Sequence, residues 1–322
     1  MVAESYRFRA KIGTLVPSDR RQHMRHMSTR GTLLAASAYP IVMALACASF
    51  AGFSRLGLIT SLSAYAAVLL GAILITWHEL KLPYRRDWKP AAPEVGVDAM
   101  FLGAVQIGVP LLLSVTLVVE LADWLRAQGL VAADFWPHQW PVWAQAALMM
   151  LTADFGRYWL HRAFHKFSPM WRLHAVHHSP HRLYWVNVGR FHPLEKAIQY
   201  CLDALPFALV GVSGEVLAAY FVFYAVNGFY QHSNCLVRLG PLNYLIAGPE
   251  LHRWHHSELP EESNNNFGNN LIVWDLLFGT RFLPEEREVG PLGLVNRAYP
   301  MGFWAQMRTP FMPDIESAAG DQ

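Results

Sequence analysis

The sequence predicts an all-α, polytopic membrane protein: about four transmembrane helices plus a cytoplasmic helical cap that carries clustered histidines. Three observations predict it. Of 322 residues, 53% are hydrophobic and 16% charged, with a mean hydropathy of +0.18, whereas an ordinary soluble domain is about a quarter charged. Four charge-free runs have the length of a membrane crossing, about 20 residues. Eleven of the 15 histidines fall between residues 161 and 256.

The runs are Gly31 to Ser54, Leu56 to His78, Ala99 to Val119 and Phe135 to Ala153, the last with Pro137 and Pro141 in its first turns. A helix rises about 1.5 Å per residue, so each run is near the required span. The first is too long, starts too late and is followed too closely by the second to be a cleaved signal peptide. A fifth apolar region, Ala204 to Val237, is interrupted by Pro206, Gly211, Gly214 and Glu215. It reads either as a short hairpin or as a half-helix followed by a full one. The chain divides into a basic N-terminal arm (1–30), a transmembrane region (31–153), a histidine-bearing region (154–283) and a C-terminal tail (284–322), whose last 20 residues read as a poorly ordered end.

Lys and Arg set the orientation. Residues 1–30 hold seven of them, the loop after the first run only Arg55, and the next loop Lys81, Arg85, Arg86 and Lys89. Residues 120–134 hold Arg126 against Glu120, Asp123 and Asp134, and Arg162, Lys166, Arg172, Arg182, Arg190 and Lys196 follow the fourth run. Basic segments stay inside, so this alternation places the N-terminus and the histidines in the cytoplasm.

Composition excludes other classes. A net charge of +2 gives no polyanion-binding surface, so nucleic acid is not expected as a partner. Cys47, Cys201 and Cys235 are odd in number and lack a CxxC spacing, which excludes a disulfide framework and a thiolate zinc site. No HExxH, GxSxG, P-loop or GxGxxG motif is present, so protease, esterase, nucleotide-hydrolysing and nicotinamide- or flavin-binding chemistry have no carrier here.

The histidines are spaced for metal. His161 and His165 stand i, i+4 in HRAFH; His174, His177 and His178 in HAVHH, and His252, His255 and His256 in HRWHH, stand i, i+3, i+4. On a helix such positions share a face. Adjacent neutral imidazoles are hard to satisfy without metal or acid partners, and imidazole suits iron, copper, zinc and nickel. Seven to nine rings exceed what one ion accepts, and eight or more point to two. His23, His26, His78 and His138 lie in the arm or at span ends and read as interfacial.

From Asp154 to Thr280 the stretches DFGRYWLHRAFH, WRLHAVHHS, RFHPLE, QHSN, LHRWHHS and NNNFGNNLIVWDLLFGT resemble the membrane-bound fatty acid hydroxylase and sterol desaturase superfamily. The resemblance implies a cytoplasmic, histidine-ligated di-iron centre that activates O2, in which zinc substitutes readily on purification. By position the ligands are His161, His165, His174, His177, His178, His232, His252, His255 and His256. His192, in RFHPLE, joins them, because Leu236 stands where several relatives carry a further histidine. His181 lies past a helix end and is left out. Carboxylates that hold the far N–H of each ring are expected beside such ligands. Asp154, seven residues before His161 on the same helical face, is the first candidate, with Asp275 and Glu195 further ones. The alternatives are a helix cap for Asp275 and an ion pair with Lys196 for Glu195. Asn264 to Asn266, Asn269 and Asn270 either shape the turn after HRWHH or form an ordinary polar loop. Tyr158, Trp159, Trp171 and Trp185 either line an acyl or sterol channel or, for more of them, are belt or core aromatics.

Two function classes remain: an O2-dependent oxidoreductase that hydroxylates or desaturates a membrane lipid, and a histidine-rich metal transporter or sensor. Transport sites lie near mid-membrane on crossing helices, whereas these clusters follow the fourth run, so the oxidoreductase is expected. With no nucleotide fold of its own, the chain needs a separate electron donor, an acidic ferredoxin, cytochrome or reductase docking on the basic face.

Overall fold

The computed structural model describes residues 29–132 and 135–312. Most of the predicted basic arm, including His23 and His26, and the final residues 313–322 lie outside that set. Among the described residues the chain is helical, with isolated bridges but no strand.

The first two apolar runs form α1 (Thr29–Arg55) and α2 (Thr60–Lys81), a hairpin with its leucines outward. Leu33, Ile41, Leu45, Leu62, Leu69 and Ile73 are exposed, whereas Tyr39, Met43, Ala64, Ala67 and Ile75 are buried. Small and aromatic residues inside and branched aliphatics outside is the pattern of a helix that faces lipid, where burial among other helices gains no hydrophobic driving force. The third run lies within one helical rod, Ala92–Leu125. In it α3 (Ala92–Met100), α4 (Gly108–Leu113) and α5 (Val119–Ala127) alternate with π-helical turns at Phe101–Ile107 and Ser114–Val118. Pro110 has no N–H to return to the preceding turn, and the widened turns flank the place where that bond is lost.

These three helices are long and apolar enough to cross a membrane. The fourth expected span is built differently. Residues before Pro141 are a folded loop, tied by Trp136 Nε1–H to Gln145 Oε1 (2.7 Å) and by Gln145 Nε2–H to Trp140 O (2.7 Å). The helix α6 then runs Val142–Lys166. Its first half is apolar, but its second half carries Asp154, Arg157, His161, Arg162 and His165, so the apolar run leads without interruption into the histidines.

After α6, the short α7 (Ser168–His178) turns back on it, with Pro169 in its first turn. The region 204–237 resolves as the tail of α8 (Pro193–Leu209), a turn, and the full-length α9 (Gly214–His232) capped by Ser213 Oγ. The half-helix reading is the one realised. Centrally placed, α9 packs against α1, α2 and α6. Close approach to α2 needs Gly71, where a Cβ would stand 2.7 Å from Val226 Cγ2.

The cap is completed by α10 (Pro249–His255), α11 (Pro260–Ser263), α12 (Val273–Phe278) and α13 (Phe303–Gln306). Residues 303–312 are not the loose end expected. Phe303 is buried and packs on Phe101 at 4.7 Å, and Gln306 Nε2–H reaches Ser179 Oγ at the end of α7 (2.9 Å). Val289, Leu292 and Leu294, also in the predicted tail, are buried.

Candidate metal centre

Nine imidazoles converge where α6, α7, α9 and α10 meet, in two adjoining groups. His161, His165, His174, His178 and His255 form one; His177, His232, His252 and His256 form the other, with the ligand nitrogens of each group within 4.8 Å of one another. The groups touch: the His178 and His256 rings are 4.5 Å apart and the His174 and His177 rings 5.2 Å apart. The HxxHH motifs therefore do not each serve one site. In both, the i and i+4 rings enter one group and the i+3 ring enters the other, because the helices cross so that each faces both groups.

Outside the rings, hydrogen bonds fix how each is turned. His161 Nδ1–H donates to Phe267 O (2.9 Å), His165 Nδ1–H to Asn264 Oδ1 (3.0 Å), His174 Nδ1–H to Glu195 Oε1 (2.6 Å) and His255 Nδ1–H to Asn265 O (2.9 Å). In the second group His177 Nδ1–H meets Arg190 O (3.3 Å) and His232 Nδ1–H meets Asn187 Oδ1 (3.0 Å). Asn187 Nδ2–H is itself committed to Arg182 O (2.9 Å), so its oxygen is the acceptor.

With Nδ1 protonated, Nε2 of each of these rings is a lone pair. His161 Nε2 stands 3.0 Å from His174 Nε2, two lone pairs face to face. Glu195 Oε1 also accepts from Gln199 Nε2–H (2.7 Å), which marks that oxygen as the acceptor for His174. A shared proton does not relieve the contact, since burial and the surrounding rings hold His174 well below the usual imidazole range. A cation does. Nitrogens bound at about 2.1 Å and at right angles stand about 3.0 Å apart. His178 with His255 (3.1 Å), His232 with His252 (3.1 Å) and His252 with His256 (3.0 Å) repeat the spacing. His165 Nε2, buried and with no hydrogen-bond partner, points the same way. The donor set fits a metal in each group.

Of the remaining candidates, His192 stands apart from both groups. Its Nδ1 accepts from Leu194 N–H (3.2 Å) at the start of α8, and its Nε2 faces Met307 O. Of the three carboxylates expected beside imidazoles, only Glu195 touches one. It is fully buried, and without a metal burial pushes it up to about 8; a cation on His174 favours its ionised form. Its neighbour Lys196 donates instead to Tyr224 OH (3.0 Å). Asp154 meets no ring: it accepts from Asn270 N–H (2.7 Å), Asn270 Nδ2–H (2.9 Å) and Leu271 N–H (2.6 Å). Asp275 likewise holds backbone, accepting from Phe267 N–H (2.8 Å) and Gly268 N–H (2.7 Å), and also from Thr280 Oγ1–H (2.7 Å). Together the two carboxylates clamp the 266–271 loop whose Phe267 carbonyl orients His161. Gly268 permits the fold there, since a Cβ would stand 2.2 Å from Leu271 O.

Some of the supporting network left little mark in the sequence. Arg190, 1% exposed, is held by Asp98 and by Gln306 Oε1 (3.2 Å) while its carbonyl takes His177. A lone Asp98 just ahead of an apolar run was the available signal. Of the four aromatics read as channel-lining or as belt and core rings, Tyr158 stacks on Phe278 at 5.3 Å, Trp159 packs on the same ring, Trp171 packs on His165 and His178, and Trp185 packs on Phe229. None lines the cavity at the imidazoles, which is bounded by Arg157, Leu160, Phe164, Val188, Phe191 and Tyr224 among others.

Fold and site thus define a class: a helical membrane protein with a paired polyhistidine metal site at the cap end of its bundle. The fatty acid hydroxylase family matches residues 146–280. The ornithine lipid hydroxylase OlsE of Rhizobium tropici is 34% identical over 240 residues, 74% of this chain and 72% of that protein. Alkylglycerol monooxygenase of Xenopus tropicalis is 32% identical over 48% of this chain, and a very-long-chain aldehyde decarbonylase of Oryza sativa 28% identical over 50%. The matches cover only 33% and 25% of the lengths of those two proteins. No solved structure matches. The chain belongs to the fatty acid hydroxylase family and is a membrane-bound lipid oxidoreductase with a metal site consistent with iron. Nothing in these relationships supports a transporter.

Proposed function

We propose that the two imidazole groups hold two iron ions and that the protein uses O2 to hydroxylate a membrane lipid bearing a polar headgroup. The contact that carries the reading is the His161–His174 pair of opposed Nε2 atoms at 3.0 Å. The irons, when bound, supply the O2 reduction and C–H oxidation. This chain's residues do the rest. His161, His165, His174, His178 and His255 hold one ion, and His177, His232, His252 and His256 the other. Glu195 increases the donor strength of His174, while Asp154 and Asp275 keep the carbonyl of Phe267 against His161. His192 caps α8 and is not assigned to a metal.

The overall reaction takes R–H, O2, two electrons and two protons to R–OH and water. The electrons come from a separate donor, a ferredoxin, cytochrome or reductase, docking on the basic cytoplasmic face. Hydroxylation is favoured over desaturation by two of these relatives, which are named as an ornithine lipid hydroxylase and an alkylglycerol monooxygenase. The test is metal analysis of protein grown with ample iron, paired with 18O2 turnover on host lipids with a reductant. Two ions per chain and one labelled oxygen in a lipid product are expected. One ion or none, or an unlabelled product, overturns the reading.

A further inference from the structure

Beyond α9, the chain passes across the ends of α1 and α2. Leu236 N–H donates to Leu82 O (2.9 Å) and Arg238 N–H to Ala35 O (2.8 Å). Between this crossing, the 81–87 segment and α10 lies a cavity of about 530 Å³, separate from the imidazoles. Lys81, Arg85, Arg86, Arg238 and Arg253 line it, against Asp87, Glu250 and Glu288. Five cations against three carboxylates leave its walls at +2, and a concave surface of one sign concentrates the field. Glu250 Oε2 is turned to the protein, accepting from Leu239 N–H (2.7 Å) and Asn243 Nδ2–H (2.8 Å). Arg253, 3% exposed, is the most buried of the five cations. Its guanidinium lies 4.1 Å from the Tyr84 ring centroid and donates to Cys235 O.

An apolar ridge leads to this cavity. Leu69, Ile73, Trp77 and Lys81 follow one another at i, i+4 spacing on α2 and so share a face. The first three are 62%, 57% and 50% exposed, on a helix long and apolar enough to cross a membrane. Trp is favoured where hydrocarbon meets headgroups, and Lys81 stands one turn beyond it.

We infer that the cavity binds the headgroup of an anionic phospholipid, its phosphodiester among the five cations and an acyl chain along Leu69, Ile73 and Trp77. Basic pockets at the ends of membrane helices recognise such headgroups. A cavity of about 150 Å³ accommodates one benzene ring, so a space of about 530 Å³ has room for a glycerophosphate. An acidic protein or a free phosphate would meet the cations but has no use for a lipid-facing ridge. The cavity walls include Arg253, next to His252 in the chain, and Leu236, four residues after His232. The bound lipid therefore braces two ligand-bearing segments from outside the metal site. It is a companion of the enzyme and not the lipid that is oxidised.

The experiment lets equimolar palmitoyl-oleoyl phosphatidylglycerol and phosphatidylcholine compete for the full-length, metal-loaded protein in detergent, with bound lipid counted by native mass spectrometry. Phosphatidylglycerol should be retained on the order of 25-fold over phosphatidylcholine, about fivefold for each unit of net charge. The double variant Lys81→Gln, Arg86→Gln, at two exposed positions, should bring the ratio near one with metal content as in the wild type. If the double variant loses metal, Arg86→Gln alone decides, with a fall of about fivefold expected. Trp77→Ala should lower retention of both lipids, and millimolar inorganic phosphate should displace neither. Equal retention of the two lipids by the wild type, or a ratio unmoved by the charge variants, overturns the inference. Displacement by phosphate with no effect of Trp77→Ala makes this a free-anion site and overturns the lipid. No lipid selectivity, together with loss of ferredoxin binding in the double variant, assigns the cations to the electron donor and overturns it as well.

Discussion

Replacing Glu195 by Gln separates the two imidazole groups experimentally. Glu195 Oε1 lies 2.6 Å from His174 Nδ1 and 2.7 Å from Gln199 Nε2. An amide oxygen accepts both hydrogen bonds in the same place, so the variant keeps shape and removes charge. A hydrogen bond to a charged acceptor is worth about 1.5–3 kcal/mol against about 0.5–1.5 kcal/mol for a neutral one. Partners that hold a ligating imidazole change metal affinity by about 10–100-fold, which is about 1.4–2.8 kcal/mol. That loss should fall on the group containing His174 and spare the group of His177, His232, His252 and His256, none of which contacts Glu195. The assay is chelator competition followed by metal counting on protein in nanodiscs. Two ions per chain without chelator, with one leaving 10–100-fold earlier in Glu195→Gln than in the wild type, is expected. Equal weakening of both ions, or no change in either, refutes the argument that this carboxylate tunes one imidazole.

His177→Ala removes a nitrogen from the four-ring group only, so metal content should fall toward one ion while turnover is abolished; loss of both ions together would show that the groups are not separate sites. Asp154→Asn should act on stability more than on metal: its amide oxygen can keep the Asn270 N–H and Leu271 N–H bonds, but its NH2 then faces Asn270 Nδ2–H donor to donor and the charge on the acceptor is lost; a melting temperature unchanged from wild type counts against the clamp. In metal-free protein, burial keeps His174, His177, His178, His252 and His256 well below their ordinary value of 6.5 and His255 at about 4. The unfolded chain gains protons first, so stability is full above about pH 6.5 and falls as the pH drops toward 4; a denaturation midpoint flat across that window contradicts the burial. Reporter fusions at residues 55 and 128 should read outside and those at 90 and 260 inside, and an outside reading at 260 overturns the shared cytoplasmic site.

Much of the architecture follows from local sequence. Apolar runs of spanning length force helices, because in lipid every backbone N–H and C=O must be met within the segment, and α1, α2 and the Ala92–Leu125 rod lie where those runs lie. Eight histidines at helical spacing announced the metal chemistry, since i and i+4 rings share a face whatever the helix packs on. Spacing carries no information about which helices face each other. That His177 and His255 cross over to the opposite group, that Glu195 and not Asp154 meets an imidazole, and that His192 caps a helix all depend on the crossing of α6, α7, α9 and α10. Asp154 shares a helical face with His161, but the face is wide enough for the Asn270–Leu271 backbone to reach the carboxylate first. Likewise Asp98 and Gln306 lie 92 and 116 residues from the Arg190 they hold. A contact between residues so distant in the chain leaves no periodicity behind, and only the packed tertiary structure brings them together.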